Sequence, residues 1–273
     1  MRAAVTAADL AVSQAAVLDA ADRLRTAAST GNPCAPVRDL LGAGGIEAAY
    51  SVQRMLVSER VAGGARVVGA KIGLTAPAVQ QQFGVFEPDF GALLDDMVYA
   101  HRQSVPWGRF LQPRAEGEIA FVLGRDIDNP GATVADVLLA TEFVLAAIEI
   151  VDSRITGWDL TIADTVADNA SAGAVVLGTT AHKLLGLDLT RIGMVFECNG
   201  EPVSHGAGHA CLGSPVAAVA WLAREMYRRG SPLRAGDTVM SGALGPMVAV
   251  EAPGRFRLRL DGLGDVEAAI ERN

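Results

Sequence analysis

Two glutamates stand two residues apart in Q-P-R-A-E-G-E-I-A-F-V-L-G-R-D, residues 112–126. The stretch begins as loop and turns into a strand, so Glu116 and Glu118 project from one side of it, about 6.6 Å apart along the chain. Glutamate is a poor strand former, and like charges on one face repel. A third acid, Glu149, lies inside the apolar run Phe143 to Val151, where a charge is costly to bury. Three carboxylates brought together raise one another's pKa unless a cation sits among them. All-oxygen ligation without a nearby Cys or His points to a hard divalent ion, Mg²⁺ or Mn²⁺, with positions left open for substrate or water. Spacing alone also allows plainer readings: a solvated face for the E-x-E pair, and an ion pair with an arginine such as Arg154 for Glu149.

Other reactive side chains carry less. His205 and His209 in S-H-G-A-G-H are four apart, but the glycines between them disfavour a shared helical face, so no zinc site is expected. Asp95-Asp96 reads as a solvated turn, and Cys211 lacks a His partner for thiol nucleophilic chemistry. G-A-G-G at 42–45 follows no predicted strand and is no dinucleotide fingerprint. Trp158 and Trp221 read as packing residues.

The elements that must position the three glutamates follow from the apolar pattern. Helical spacing predicts helices over 8–28 and 46–61, the second ended by Gly63-Gly64. R-V-V-G-A-K-I-G-L, 66–74, reads as a strand, and T-A-P-A-V-Q-Q-Q-F-G, 75–84, as a short helix with Thr75 as cap. Further strands are expected near 143–151 and 172–178. M-V-F-E-C-N-G-E-P-V-S reads as a hairpin turned by Asn199-Gly200. The clearest helix is 214–230, with Ser214 as cap, Pro215 first and Gly230 as stop. T-V-M-S-G, R-F-R-L-R-L and V-E-A-A-I close the chain as strands. The outline is α+β: a helical region over 1–64 ahead of a mixed, mostly β core over 65–273.

The chain has 273 residues, half of them hydrophobic and 20% charged, which suits a well-buried fold. A net charge of −8 with no Lys/Arg cluster argues against a nucleic-acid surface. No apolar run approaches membrane-spanning length, and Asp9, Asp19 and Asp22 interrupt any signal-peptide core. Three cysteines without C-x-x-C spacing fit a reduced compartment. A soluble, cytoplasmic protein with no membrane partner is the expectation.

Six blocks, in order, resemble the 2-keto-4-pentenoate hydratase family of the fumarylacetoacetate hydrolase superfamily. They are V-G-A-K-I-G-L-T, V-Q-Q-Q-F-G-V-F-E-P-D-F-G-A-L-L-D-D-M, P-R-A-E-G-E-I-A-F-V-L-G-R-D, E-I-V-D-S-R-I-T-G-W, D-T-V-A-D-N-A-S-A-G and S-G-A-L-G-P-M-V-A-V. The resemblance implies a barrel-like β core around a divalent metal, Mg²⁺ or Mn²⁺, held by Glu116, Glu118 and Glu149. It implies a substrate of the 2-hydroxypenta-2,4-dienoate type, from meta-cleavage of aromatic compounds, hydrated to 4-hydroxy-2-oxopentanoate. It also implies a homo-oligomer, a pentamer or a pair of pentamers, with room for association with other enzymes of that pathway.

Three glutamates and a divalent ion leave the site one charge negative before an acidic substrate arrives, so a further cation is expected. Lys71, flanked by glycines in an apolar strand, is assigned to the substrate carboxylate or enolate, against a strand-edge lysine with its head in water. Asp89 in E-P-D-F-G is the candidate for proton transfer, directly or through a water, or else a turn former after Pro88. Asn169 and Ser171 in D-N-A-S either orient the substrate and the water or cap a turn. The nearest rival activity is 4-oxalocrotonate decarboxylation at the same metal site. Acylpyruvate hydrolysis ranks lower, because no His stands near 71–89 or 116–149 apart from His101. A non-catalytic scaffold has no reason to keep these buried charges.

Overall fold

Amphipathic runs before residue 66 become helices, and beyond it strands predominate with helices set between some of them. The computed structural model describes residues 13–42, 45–76, 80 and 87–272. Its helices are α1 (Gln14–Thr30), α2 (Arg38–Leu41), α3 (Gly45–Ala62), α4 (Val134–Ala140), α5 (Ile162–Ala167) and α6 (Pro215–Arg228). Its strands begin with β1 (Val67–Gly73), β2 (Asp89–Leu94), β3 (Val98–Ala100), β4 (Ser104–Pro106), β5 (Pro113–Leu123), β6 (Thr141–Asp152) and β7 (Ala172–Leu177). They continue with β8 (Gly193–Cys198), β9 (Glu201–Ala207), β10 (Thr238–Met240), β11 (Val248–Ala249), β12 (Gly254–Leu260) and β13 (Gly264–Glu271).

The larger sheet is mixed and curled into a half-barrel, with strand order β2-β1-β10-β5-β6-β7-β3 and β11 added to β5. The smaller sheet runs β4-β13-β12-β8-β9. The long antiparallel pair β5–β6 forms the spine, with Glu116 directly opposite Glu149 and Glu118 opposite Ala147. β10 joins β5 through Met240 opposite Ala120, and β1 joins β10 through Lys71 opposite Met240. β2 then sets Gly91 against Lys71 and Asp89 against Gly73.

Side chains paired across a ladder share a face. Lys71, Asp89, Glu116, Glu118 and Glu149 therefore belong to one face of this sheet. Around them that face carries a small apolar cluster of Leu93, Ala120, Leu145, Ala147, Val175 and Met240. The opposite face, with Ile72, Ile119, Phe121, Ile148 and Ile150, belongs to the main hydrophobic core shared with the helices and the second sheet. Gly117 lets that second sheet approach: a Cβ there would lie 2.5 Å from Leu258 and 2.7 Å from Met194.

The helical region is bound into the same core. Leu24, Leu41, Ala49 and Val52 are part of it, and the Tyr50 ring stacks on Phe90 at 4.9 Å. Gln53 donates to the carbonyls of Phe90 and Val166, both at 2.9 Å. Buried Asp164 ties three segments together. It accepts from the backbone N–H groups of Val37 (2.8 Å), Arg38 (2.9 Å) and Thr161 (2.8 Å), and from the Arg38 guanidinium at 2.7 Å.

The predicted strands at 66–74, 143–151, 172–178, 255–260 and 266–270 are observed within two residues of their expected ends, and Asn199-Gly200 turns the β8–β9 hairpin. Ser214 precedes α6 but its side chain makes no capping bond; Pro215 at the first turn and Gly230 beyond the end do mark that helix. Residues 8–12 of the first predicted helix, 43–44 of the G-A-G-G run, and most of the helix expected over 75–84 lie outside the described residues. Among the described residues no helix is long and apolar enough to cross a membrane.

Asp164→Asn is expected to destabilise the fold by about 2–3 kcal/mol, since it weakens buried, charge-assisted hydrogen bonds. Burial opposes the Asp164 charge, but the Arg38 guanidinium, the Thr161 groups and the Arg38 N–H outweigh it and hold the carboxyl below its usual range. A depressed carboxyl stabilises above its unfolded value, near pH 4, and that contribution disappears as pH falls through the folded value. Denaturant melts of both proteins should therefore differ most above about pH 5 and converge in acid.

Candidate metal centre

Strand alternation aims Glu116 and Glu118 the same way, and the β5–β6 register adds Glu149 from across the ladder. Each of the three offers a carboxylate oxygen, and those atoms lie within 4.8 Å of one another. Glu118 and Glu149 are fully buried and Glu116 is 6% exposed. Glu118 Oε2 accepts from the Gly242 backbone N–H at 2.8 Å. Among the described residues, Glu118 Oε1 and both Glu149 oxygens are buried without a hydrogen-bond donor. Orphaned, all-oxygen, multiply anionic: this donor set fits a hard divalent cation.

Electrostatics agree with the geometry. Burial, then the Glu149 charge, pushes Glu116 up to about 7, with Lys71 pulling the other way. Glu118 is driven well above the usual carboxylate range by burial and by both other glutamates. Burial also raises Glu149, against the nearby Lys71.

Lys71 is 2% exposed. Its Nζ lies 3.3 Å from Glu149 Oε1 and donates to the Ala170 carbonyl at 2.8 Å. Burial alone would lower its pKa; Glu149, Asp89, Glu116 and Glu118 more than reverse that and hold it charged. Asp89 starts β2 and is buried rather than placed in an open turn. Its Oδ2 accepts from Thr165 Oγ1 at 2.8 Å, while Oδ1 has no donor among the described residues. Burial raises its pKa, partly offset by Lys71 and the Thr165 hydroxyl. Gly73 makes the juxtaposition sterically feasible: a Cβ there would sit 2.2 Å from Asp89 Oδ1 and 3.5 Å from Lys71 Nζ.

The two D-N-A-S candidates separate. Asn169 directs its amide at β2, accepting from the Ala92 N–H at 2.8 Å and donating to the Ala92 carbonyl at 2.9 Å. Ser171 Oγ is buried and without a partner among the described residues. Arg154 is not the partner of Glu149; it forms an ion pair with Asp168. Asp95 and Asp96 pair with Arg66 and Arg60 at the surface, and Cys211 is buried with its Sγ on the Ser241 carbonyl.

The model for "Fumarylacetoacetate (FAA) hydrolase C-terminal" matches residues 67–271. The chain belongs to the fumarylacetoacetate hydrolase family. Within that family it is 52% identical to the TodF product hydratase of Pseudomonas putida F1, over 94% of this chain and 96% of that protein. It is 50% identical to a 2-keto-4-pentenoate hydratase of Paraburkholderia xenovorans LB400, over 93% and 95%. The fold of 4-oxalocrotonate decarboxylase from Pseudomonas putida G7, solved with magnesium and adipate, superposes with a TM-score of 0.91. That protein is 32% identical, and the match covers 96% of this chain and 99% of that one.

Sequence reasoning missed three groups that this family member places at the site: the Thr165 hydroxyl, the Gly242 N–H and the Ala170 carbonyl. Thr165 lies in the block already singled out for Asn169 and Ser171, one helical turn earlier. The two backbone groups carry no side-chain signal.

The ion-free fold should lose stability as pH rises from about 4.3 towards 7, because raised carboxyls bind protons better folded than unfolded. A cation that needs those carboxylates ionised stabilises increasingly over the same window. Saturating Mg²⁺, at about 100 times its Kd, is expected to add about 2.7 kcal/mol at pH 8, and little at pH 5.5. Melting curves with Mg²⁺ and with chelator at the two pH values check this; equal gains at both would place the ion elsewhere.

Proposed function

We propose that this protein is a metal-dependent hydro-lyase that adds water to 2-hydroxypenta-2,4-dienoate, or a close homologue, giving a 4-hydroxy-2-oxo acid. The observation that carries the reading is the buried Glu116–Glu118–Glu149 triad with unpartnered oxygens, set beside a charged, buried Lys71. The two hydratases at 50–52% identity over nine-tenths of the chain support the activity. The solved decarboxylase held with magnesium supports a divalent cation, Mg²⁺ or Mn²⁺, as cofactor.

Glu116, Glu118 and Glu149 would hold that cation, which supplies Lewis-acid stabilisation of the negative charge growing on the 2-oxo oxygen. Lys71 has three donor hydrogens. One goes to the Ala170 carbonyl, the contact with Glu149 Oε1 at 3.3 Å is an ion pair, and donor capacity is left for the substrate carboxylate. Asp89, its Oδ2 held by Thr165 and its Oδ1 free, carries the proton. Protonation of carbon 5 and loss of the 2-hydroxyl proton convert the dienol to a 2-oxo-3-enoate. Hydroxide from water then bonds carbon 4, and a proton returns to carbon 3. Burial raises Asp89, which suits a group that must both give and take a proton. Ser171 Oγ, unpartnered, is the second substrate contact; Asn169 positions β2 instead. Burial of the site keeps bulk water from competing for these donors.

Decarboxylation of a 2-oxo-3-enedioate is the second reading, favoured by the close superposition on the decarboxylase. The higher identity to hydratases places it second. We further assign 65–273 as the catalytic core and 1–64 as a helical buttress. We assign the enzyme to the cytoplasm as a homo-oligomer, for which exposed Leu139 and Leu185 offer apolar surface.

Dienol absorbance should decay with Mg²⁺ or Mn²⁺ and stop with chelator, and 2-oxohex-3-enedioate should release no carbon dioxide. Rapid carbon dioxide release without hydration would reverse the ranking. Glu118→Gln is expected to lose about 100-fold or more of metal-dependent turnover, yet to melt at or above the ion-free parent because one buried charge is gone. Lys71→Ala should lower kcat/KM by about 100-fold while calorimetry finds metal affinity changed much less; the opposite split would make the lysine structural.

A further inference from the structure

Between α5 and β7 the chain carries three consecutive residues in the left-handed region: Asn169 at φ 54°, Ala170 at 50° and Ser171 at 53°. Asparagine tolerates that region, but Cβ crowding makes it unfavourable for alanine and serine. Such a run persists only where its surroundings over-determine it. Here the surroundings are Arg154 at both ends and, within the run, the Asn169 amide bonded to Ala92 of β2. The Arg154 guanidinium donates to Asp168 Oδ1 and the Asp168 carbonyl before the run, and to the Ala172 carbonyl after it at 3.1 Å. The Arg154 backbone N–H donates to Asp168 Oδ2 at 3.0 Å, and the Ser171 N–H closes back on the Asp168 carbonyl at 2.9 Å. On the β2 side, the Asn169 carbonyl presses so near Gly91 that a Cβ there would lie 2.2 Å from it.

Packing contributes less on the other side. Arg154, Asp168, Asn169 and Ala172 border a cavity of about 270 Å³ that reaches Leu24 and Leu56 of the helical region. On that side hydrogen bonds hold the left-handed run, while close packing on Gly91 holds it on the β2 side. The run in turn points the Ala170 carbonyl at Lys71 Nζ and leaves Ser171 Oγ buried and unpartnered. In the ordinary right-handed conformation the Ala170 carbonyl would swing away from the lysine.

We propose that Arg154 and Asp168 are positioning residues: by stapling both ends of 169–171 they hold Lys71 Nζ and Ser171 Oγ in place for the substrate. The link runs through the backbone of 169–171. The proposal rests on the reading of Lys71 as the group that meets the substrate.

Arg154→Lys keeps the charge and removes the planar fork. It should lower kcat by about 10- to 100-fold, the scale of an ångström misplacement, with the calorimetric Mg²⁺ Kd within about twofold of wild type. Glycine takes the left-handed region without Cβ crowding, so adding Ala170→Gly to Arg154→Lys should recover kcat by about fivefold or more. Both rates are read well below the melting temperatures, so that folded fraction does not enter. A kcat for Arg154→Lys within twofold of wild type overturns the proposal. So does a double variant that regains melting temperature but no turnover, since the staple would then serve the fold alone. Should Arg154→Lys not fold, Asp168→Asn, alone and with Ala170→Gly, is read by the same criteria. Lys71→Ala separates the two layers. Wild-type turnover in that variant removes the lysine reading and the staple with it. A Lys71→Ala defect beside a normal Arg154→Lys removes the staple only.

Discussion

Three carboxylates with almost no solvent to screen them are the constraint on which the rest of this structure depends. A buried polar atom without a partner costs about 1–3 kcal/mol, and a charged one more. Here three oxygens of two glutamates are in that position beside a third acid. Among the described residues the protein supplies one cation, Lys71, and one backbone donor, Gly242 N–H. That leaves a net negative cluster whose members are pushed towards protonation. A divalent ion held there would remove the imbalance, and an acidic substrate would then meet a site already near neutrality. Stability of the ion-free fold and function of the loaded one are thus opposite sides of one electrostatic arrangement.

Holding such a cluster demands a rigid frame, and the frame is one face of one sheet. A one-residue slip of β5 would throw Glu116 and Glu118 to the other face and put Gly117, with either Ala115 or Ile119, in their places. The slip is opposed from behind, where Gly117 receives Leu258 and Met194 of the second sheet. The main core therefore does two jobs. It buries apolar area on the far face, and by fixing register there it fixes the acids on the near face. Asp89 and Lys71 come from the other arm of the sheet, brought within reach by β10, which bridges β1 and β5. The 169–171 run then completes the site from outside the sheet.

Much of this was legible in residues 112–126 and 143–151, because strand alternation is a local, two-residue rule. Other parts carried readable signals that went unused. T-V-A-D at 133 and T-I-A-D at 161 are capping boxes, and both start short helices, α4 and α5. β2 hid because Pro88 and Asp89 suggest a turn, while the strand that follows is D-F-G-A-L-L. Its acid is tolerated only because Gly73 across the ladder has no side chain. Ser214 illustrates the converse: the residue type and spacing of a cap are present, but its hydroxyl is not spent on the helix.

What the sequence by itself determined is parity and composition: two glutamates on one side of a strand, a third acid and a lysine inside apolar runs, and six ordered blocks that resemble a known family. Those rest on neighbours a few residues apart, and no tertiary contact is needed to read them. The tertiary structure alone decided that Glu149 faces Glu116, that Thr165 holds Asp89, that Arg154 answers Asp168 rather than Glu149, and that the Ala170 carbonyl meets Lys71. Those contacts join residues separated by 14 to 99 positions. Each depends on register and sheet curl, which are set by packing on faces the functional side chains never touch.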